Sequence, residues 1–470
     1  MSEGYDLIVI GGGSAGLTAA VFGNGLGKKI ALIECDRVGG DCTWTGCIPS
    51  KALLKVARVA HHIRSADQFG ITVGAPVIDM AAVRQYVERT IRDVYKFETP
   101  EALEKRGIEI VKGEARFVDA ETILVGERRM QAKKFIIATG GRAVIPAIPG
   151  LNEVAYKTNA NFFENEWLPR HLLILGAGPV GMEMAQAYIR LGAQVTVIGE
   201  QIMPRDAPEA VEVLRRVFAR EGVTLLETSV RSVGGTDEAI VLRLKDGQEI
   251  QGDMLLVAAG RTPNVESLNL EQAGVEYSAE GIKVNSHLQT NVTHIYAVGD
   301  VTPGLDFTHY AGFQGGVAAR NALLPIGKGN GLEAIVPWVT FTDPEVAHAG
   351  MLEAEAREKY GAAVKVHTML MAQGDRSIVE ADTEGFIKLV YKGSGELLGA
   401  TIVAARAGEM ITEFTLVIRK KVSLRSLTGI MHPYPTYSEI AQRAIIYLVL
   451  GELLNGISGK IIKTLAKLTR

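Results

Sequence analysis

The chain is predicted to be an α/β protein with two Rossmann-like dinucleotide-binding domains and a C-terminal α+β domain. Three observations predict it. The length of 470 residues is about three average domains of ~150. A strand, glycine turn, helix and strand occur in series twice, and from Pro337 onward the pattern shifts to alternating strands followed by helices.

Tyr5 to Ile10 reads as a short buried strand, GGGSAG opens a helix over Leu17 to Leu26, and Lys29 to Glu34 is a second strand. The glycines fall as Gly11-x-Gly13-x-x-Gly16, with Glu34 ending the second strand 18 residues after the last of them. A strand before, a helix after and an acid at about 20 residues form a dinucleotide fingerprint. Gly11 permits the tight turn, Gly13 lets a pyrophosphate approach the backbone, Gly16 allows close helix packing, and Glu34 takes a ribose hydroxyl. The unit recurs as His171 to Leu175, then Gly176-Ala177-Gly178-Pro179-Val180-Gly181, a helix to Leu191 and a strand over Gln194 to Ile198. Two such sites imply two cofactors, with hydride passing between them. At the ribose end of the second site stand Gly199 and Glu200, with Arg205 further on. An acid there favours a free 2′-hydroxyl, hence NADH over NADPH.

The Pro-rich link after Ala138 to Gly150 and the strand end at Val257 to Asn264 bracket the second unit. The expected segments are 1–150, 151–264, 265–335 and 336–470. IYAVGD at Ile295 to Asp300 leads into a helix over Tyr310 to Leu324, and strands follow at Phe386 to Val390 and Leu398 to Val403.

A formal charge of −3 leaves no global field to attract nucleic acid or anionic lipid, so small-molecule chemistry is the default. The acidic MSEGYD start lacks a basic n-region, so the mature protein is expected to begin at residue 1 in the cytoplasm. Leu7 to Gly27 is uncharged, but its seven glycines and three polar residues fit a strand, turn and helix better than a membrane span. The three cysteines, Cys35, Cys42 and Cys47, form no secreted disulfide framework. Within GGDCTWTGCIPSK, Cys42 and Cys47 can close a redox disulfide at an irregular helix start, where the helix terminus and Lys51 would lower a thiolate pKa. Zinc is the competing reading, but the cysteine spacing with His61 and His62 matches no usual ligand set. Cys35, beside a strand end, is expected to be an inert packed thiol.

GGGSAG, GGDCTWTGCIPSK, GAGPVGME, AAGRTPN, YAVGD and HPYPTYSE, in this order over nearly the whole chain, resemble the flavin-dependent pyridine nucleotide-disulfide oxidoreductases that carry two active-site cysteines. These include dihydrolipoamide dehydrogenase, glutathione reductase and mercuric reductase. The resemblance implies a homodimer whose C-terminal domain is the dimerisation domain. It implies an FAD site at Gly11, Gly13, Ser14, Gly16, Glu34, Gly40, Lys51, Gly140 and Asp300, whose acid takes the ribityl chain. An NAD(P) site would use Gly176, Gly178, Gly181, Glu183, Glu200 and Gly260. Cys47 matches the thiol against the flavin and Cys42 the interchange thiol, while Lys51 and Glu183 match an ion pair beside the flavin's reactive nitrogen. A lysine there stabilises negative charge building on the reduced ring. Electrons would pass from NADH through FAD to the Cys42–Cys47 disulfide and on to an acceptor.

Family disulfide reductases place a His-Pro pair near the C-terminus, its His acting as acid and base from the partner subunit. Here the aligned residue is Tyr434, before Pro435; Glu439 stands where the family's Glu does, and His432 lies two residues upstream. A phenol of reference pKa ~10 is a poor base beside an imidazole at ~6.5. A tyrosine at this position is similar to the mercuric reductase branch, and soft thiolates at Cys42 and Cys47 suit transient Hg(II). From the sequence as it stands, ending LAKLTR and opening directly on the first strand, a departure from that branch is expected, without a C-terminal Cys-Cys pair or an N-terminal metal-carrying domain; Trp44 and Pro179 also replace usual residues. The alternatives are a dihydrolipoyl dehydrogenase-like enzyme, with His432 or water replacing the base, and a slow-turnover redox sensor or membrane-docked adaptor. For the last, Leu454, Ile457, Ile461, Leu465 and Leu468 recur at helical spacing in a tail with four basic residues and no acid. Packing of this helix on the dimer is the favoured expectation, and contact with an anionic membrane the other.

Overall fold

Leu7, Ile8, Val9 and Ile10 carry only apolar side chains, and the chain buries all four as β1 (Leu7–Ile10). In the computed structural model, which describes residues 4–455 and 457–468, this strand is the centre of a five-stranded sheet. Gly13, extended, caps α1 (Ser14–Gly25), so the helix starts three residues before the predicted Leu17. β2 (Ile30–Glu34) then runs parallel to β1, as a strand returning through a crossover helix must. The chain continues through α2 (Gly40–Trp44), α3 (Cys47–Arg64) and α4 (Met80–Tyr95) to β3 (Ile108–Lys112) and β4 (Phe135–Ile137).

The second repeat is β5 (His171–Leu175), α5 (Pro179–Leu191) and β6 (Gln194–Gly199), with Pro179 at the first helical position, where its missing N–H costs nothing. After α6 (Pro208–Glu221) and β7 (Thr224–Glu227), β8 (Met254–Val257) joins β5 in parallel. β9 (Ile295–Ala297) and α7 (Thr308–Leu323) return to the first sheet. Its order is β9-β4-β1-β2-β3, all parallel, and that of the second sheet is β7-β6-β5-β8. Because β4 and β9 are neighbours, the whole second repeat is an excursion between two adjacent strands. α1 and α7 lie against each other through alanines and glycine; a Cβ on Gly315 would sit 2.1 Å from the Ala15 carbonyl oxygen.

The chain divides into two units, Met1–Glu200 with Leu226–Glu333, and Gln201–Leu225 with Ala334–Arg470. The second unit holds an antiparallel sheet of β10 (Trp338–Thr340), β11 (Glu345–Gly350), β12 (Val364–Leu370), β13 (Phe386–Lys392) and β14 (Leu397–Ala404), in the order β10-β11-β14-β13-β12. Met410 and Phe414 of α8 (Ala407–Lys420) and Ile440 and Ala444 of α9 (Tyr437–Asn455) close its core. α10 (Ile457–Leu468) follows. The helical stripe predicted from Leu454 onward is thus divided between two helices at Gly456, which lies outside the described residues, as does the side chain of Ile457. Among the described residues no helix is long and apolar enough to cross a membrane; Leu7 to Gly27 is β1, a turn and α1.

Candidate functional site

Both glycine fingerprints form the same cradle. At Gly11, φ is +107° and a Cβ would lie 2.2 Å from the Ala138 carbonyl oxygen; at Gly176, φ is +116° and the distance to the Ala258 oxygen is 2.1 Å. A Cβ on Gly16 or Gly181 would lie 1.9 Å from the carbonyl oxygen of Gly11 or Gly176 respectively. Only hydrogen fits these places, which brings strand and helix close enough for the helix N-terminus to face the loop. Gly178, Gly140 and Gly260 have open space beside them, and Gly13 and Gly40 pass each other so closely that a Cβ on Gly40 would sit 2.8 Å from the Gly13 Cα. Ser14 Oγ donates to the Thr308 carbonyl, tying α1 to the start of α7.

Glu34, buried at the end of β2, accepts from the Gly12 and Asp36 amides, both at 2.7 Å, and so holds its carboxylate at the lip of the first cradle. Glu200 is exposed at the second, accepting from Ser229 Oγ at 2.5 Å with Lys245 Nζ at 3.6 Å; these neighbours hold its carboxyl below the usual range. The residues fit one dinucleotide per cradle.

Cys42 lies in the short α2, and Cys47 is the first residue of the 18-residue α3. Both carry free thiols, and the two behave differently. The Cys42 thiol donates to the Cys47 sulfur, which holds Cys42 protonated and pulls Cys47 down to about 6. Burial opposes that fall, while Thr308, whose Oγ1 lies 3.4 Å from the Cys47 sulfur, and the charge of Lys51 reinforce it. One thiolate and one thiol therefore coexist near neutral pH. Lys51, one turn along α3, reaches Glu183 of α5 at 2.8 Å. The Glu183 side chain is only 5% exposed while Lys51 is 36% exposed, so the pair neutralises a buried carboxylate from a partly solvated lysine.

Arg261 and Thr308 were missed in the sequence. Arg261 Nη2 reaches Asp41 at 2.7 Å and Nε reaches Asp300 at 3.0 Å, so one guanidinium joins the residue before Cys42 to the YAVGD acid. Burial raises the Asp300 carboxyl, and Arg261 works against that. Arg261 lies in the AAGRTPN motif, whose local pattern marks a strand end and a glycine but not this contact. Trp44 proves to be a packing residue: its indole donates to the Val38 carbonyl at 2.8 Å, stacks edge-on with Tyr95 at 4.7 Å and lies under Arg37. Cys35 corrects the expectation of a packed thiol, because it is exposed; partial desolvation and the neighbouring Glu34 carboxylate push its pKa up and disfavour its thiolate. Among the described residues no cluster suits a resident metal ion.

Tyr434, Glu439 and His432 belong to the second unit. The Tyr434 ring is exposed, and its hydroxyl donates to Asp375 at 3.2 Å, which raises the phenol pKa further. Arg443 anchors that carboxylate at 2.9 Å and also reaches Glu439 at 2.9 Å. His432 is turned inward, with Nε2 3.0 Å from Glu413 and a buried Nδ1 without a hydrogen-bond partner. Asp375, Arg443 and Glu413 carry no motif of their own, and only the fold brings them to these places.

Residues 5–315 match the pyridine nucleotide-disulphide oxidoreductase family, and residues 336–445 match its dimerisation domain. The mercuric reductase of Bacillus cereus is 34% identical over 450 residues, spanning 94% of this chain and 71% of that protein. The dihydrolipoyl dehydrogenase of Thermus scotoductus is 36% identical over 447 residues, 93% of this chain and 95% of its own. Among solved structures, the Cu(II) complex of the HOCl-induced flavoprotein disulfide reductase RclA from Escherichia coli superposes with a TM-score of 0.85 at 27% identity, covering 94% of this chain and all of that one. With two dinucleotide cradles, a thiol pair at the head of α3 and the matching dimerisation domain, the chain belongs to the pyridine nucleotide-disulphide oxidoreductase family and is a flavoprotein disulfide oxidoreductase, using FAD and a pyridine nucleotide.

Proposed function

We propose that the protein draws electrons from NADH in preference to NADPH and delivers them to a thiophilic metal ion, Hg(II) foremost, held between Cys42 and Cys47. The observation that carries this reading is the pairing of a Cys47 thiolate near neutral pH with a tyrosine where disulfide reductases keep their base. A disulfide or dithiol substrate needs a group that moves protons at the interchange thiol. Tyr434, kept protonated by Asp375, is unsuited to that. A soft metal needs none: Cys47 supplies one thiolate directly, and the metal displaces the proton of Cys42 to gain the second.

In this reading residues 1–150 with 265–335 hold FAD, 151–264 hold the nicotinamide nucleotide and 336–470 form the dimer, with Tyr434 of the partner subunit facing the thiols. Bound FAD supplies two-electron transfer between nicotinamide and sulfur. Lys51, fixed by Glu183, places positive charge where the reduced ring becomes negative. Arg261 holds the Cys42 loop and the Asp300 carboxylate in register. Glu200 would repel a 2′-phosphate, which motivates the NADH preference. The mercuric reductase name of the Bacillus cereus relative and the Cu(II) in the Escherichia coli structure are consistent with a thiophilic metal.

The test is steady-state NADH oxidation by the FAD-loaded enzyme, with Hg(II) buffered by excess thiol in one cuvette and oxidised lipoamide in the other. Rapid Hg(II)-dependent turnover with little lipoamide activity is expected. The reverse would overturn the metal reading and favour the dihydrolipoyl dehydrogenase-like one, for which the His432–Glu413 pair is the supporting observation. A higher kcat/KM for NADPH than for NADH, unaltered by Glu200→Ala, would refute the role given to Glu200.

A further inference from the structure

The tail of the second unit has no place in the chemistry above, and its construction points elsewhere. α10 (Ile457–Leu468) lies beyond residue 445, where the match to the dimerisation domain ends. Every side chain described in it is exposed, including three large apolar ones: Ile461 at 57%, Leu465 at 56% and Leu468 at 76%. At 100° per residue these three fall within one narrow arc, spaced i, i+4 and i+7. Lys463, the lysine of this helix whose side chain is described, is exposed and lies about 160° around the helix from Ile461, on the opposite side. From Leu453 to the last residue the chain holds four basic residues and no acid, in a protein of net charge −3.

A helix of 12 residues is marginal in water without a surface to cover its apolar face. Two occupants can be weighed by charge. A second copy meeting α10 through its own α10 would bring two identical stretches with four basic residues and no acid together, since a two-fold contact pairs the same patch with itself. An anionic lipid surface offers complementary charge beside an apolar layer. The helix is about 18 Å long, far short of the ~30 Å of a bilayer core, so it can lie in the interface but not cross it.

We propose that α10 is a peripheral membrane anchor: it lies on anionic phospholipid with Ile461, Leu465 and Leu468 in the acyl boundary, and the net basic charge of the tail draws it to the headgroups. Close to its start, a Cβ on Gly459 would meet the Leu454 carbonyl oxygen at 2.2 Å, so the anchor folds tightly over the end of α9 rather than trailing as a loose tail. Such anchoring is independent of which acceptor the thiols serve.

The test uses full-length, FAD-loaded protein sedimented with vesicles of phosphatidylcholine alone or phosphatidylcholine mixed with phosphatidylglycerol. Binding is expected only to the mixed vesicles and should weaken as salt is raised. Lys463→Glu with Lys467→Glu should lower the partition coefficient at least about tenfold, and Leu465→Asp should do likewise, with NADH oxidation and FAD content unchanged. Sedimentation equilibrium on the same variants reads the dimer. Absence of binding to mixed vesicles, equal binding to pure phosphatidylcholine, or equal binding of wild type and variants would overturn the proposal. So would conversion of the Leu465→Asp protein to monomers, which would assign α10 to the contact between copies.

Discussion

Replacing Cys42 by alanine should raise the pKa of Cys47 by about one to two units. The largest influence lowering Cys47 to about 6 is the hydrogen bond it receives from the Cys42 thiol. A hydrogen bond to a charged group is worth about 1.5–3 kcal/mol, and one pKa unit is about 1.4 kcal/mol. At a pH of about 7 the thiolate fraction would fall from about nine-tenths to between about one-half and one-tenth. Cys42→Ser retains a donor and should stay near the wild-type value, so the pair of variants separates the hydrogen bond from the removal of the side chain. The assay is the pH dependence of Cys47 alkylation by iodoacetamide, read by peptide mass spectrometry. A Cys35→Ser background removes the exposed third thiol. Because the folded pKa lies below that of a free thiol, the reactive form is present above about 6 and lost as pH falls through that value. If the alanine and serine variants titrate alike at the wild-type value, the hydrogen bond is not the cause, and Thr308 and Lys51 carry the effect instead.

Arg261→Leu leaves the Asp41 and Asp300 carboxylates without their shared cation and should weaken FAD retention about tenfold or more, measured as flavin fluorescence released on dilution. His348, buried and pushed down to about 4, stays neutral while an unfolded histidine titrates near 6.5. The unfolded chain therefore binds more protons between these values, and stability falls as pH drops through that window, by at most about 3 kcal/mol. His348→Gln should remove this slope in Tm against pH; Asp206, raised by burial to about 6, acts in the opposite direction but equally in both proteins. Tyr434→His should raise lipoamide turnover about tenfold or more by supplying an imidazole base, and an unchanged rate would show that a base at this position does not limit that reaction.

Much of the site was legible because its signals are local. The two glycine fingerprints, the acids after each second strand and the Cys42–Cys47 spacing lie within short stretches, and the cradles have the predicted form. Element limits shifted by a few residues where a cap decided the start, as Gly13 does for α1. Trp44 departs from the residue usual at its position, and its packing role is not legible in the sequence because its partner Tyr95 is 51 positions away. Arg261, Thr308 and Asp375 were invisible for the same reason: each acts on a residue from a distant segment, and no spacing rule connects them.

Fold class, the pair of cofactors and the candidate redox thiols follow from residue order, since backbone periodicity, glycine conformation and neighbouring cysteines are properties of consecutive residues. Which sulfur ionises, why the Glu183 carboxylate is buried yet paired, and that Tyr434 is bound to an acid rather than free to act as a base were decided by tertiary structure. A pKa is set by burial and by groups brought near through folding: beside Cys42, five positions away, Cys47 meets Thr308 from 261 positions away, Lys51 meets Glu183 across 132 and Tyr434 meets Asp375 across 59.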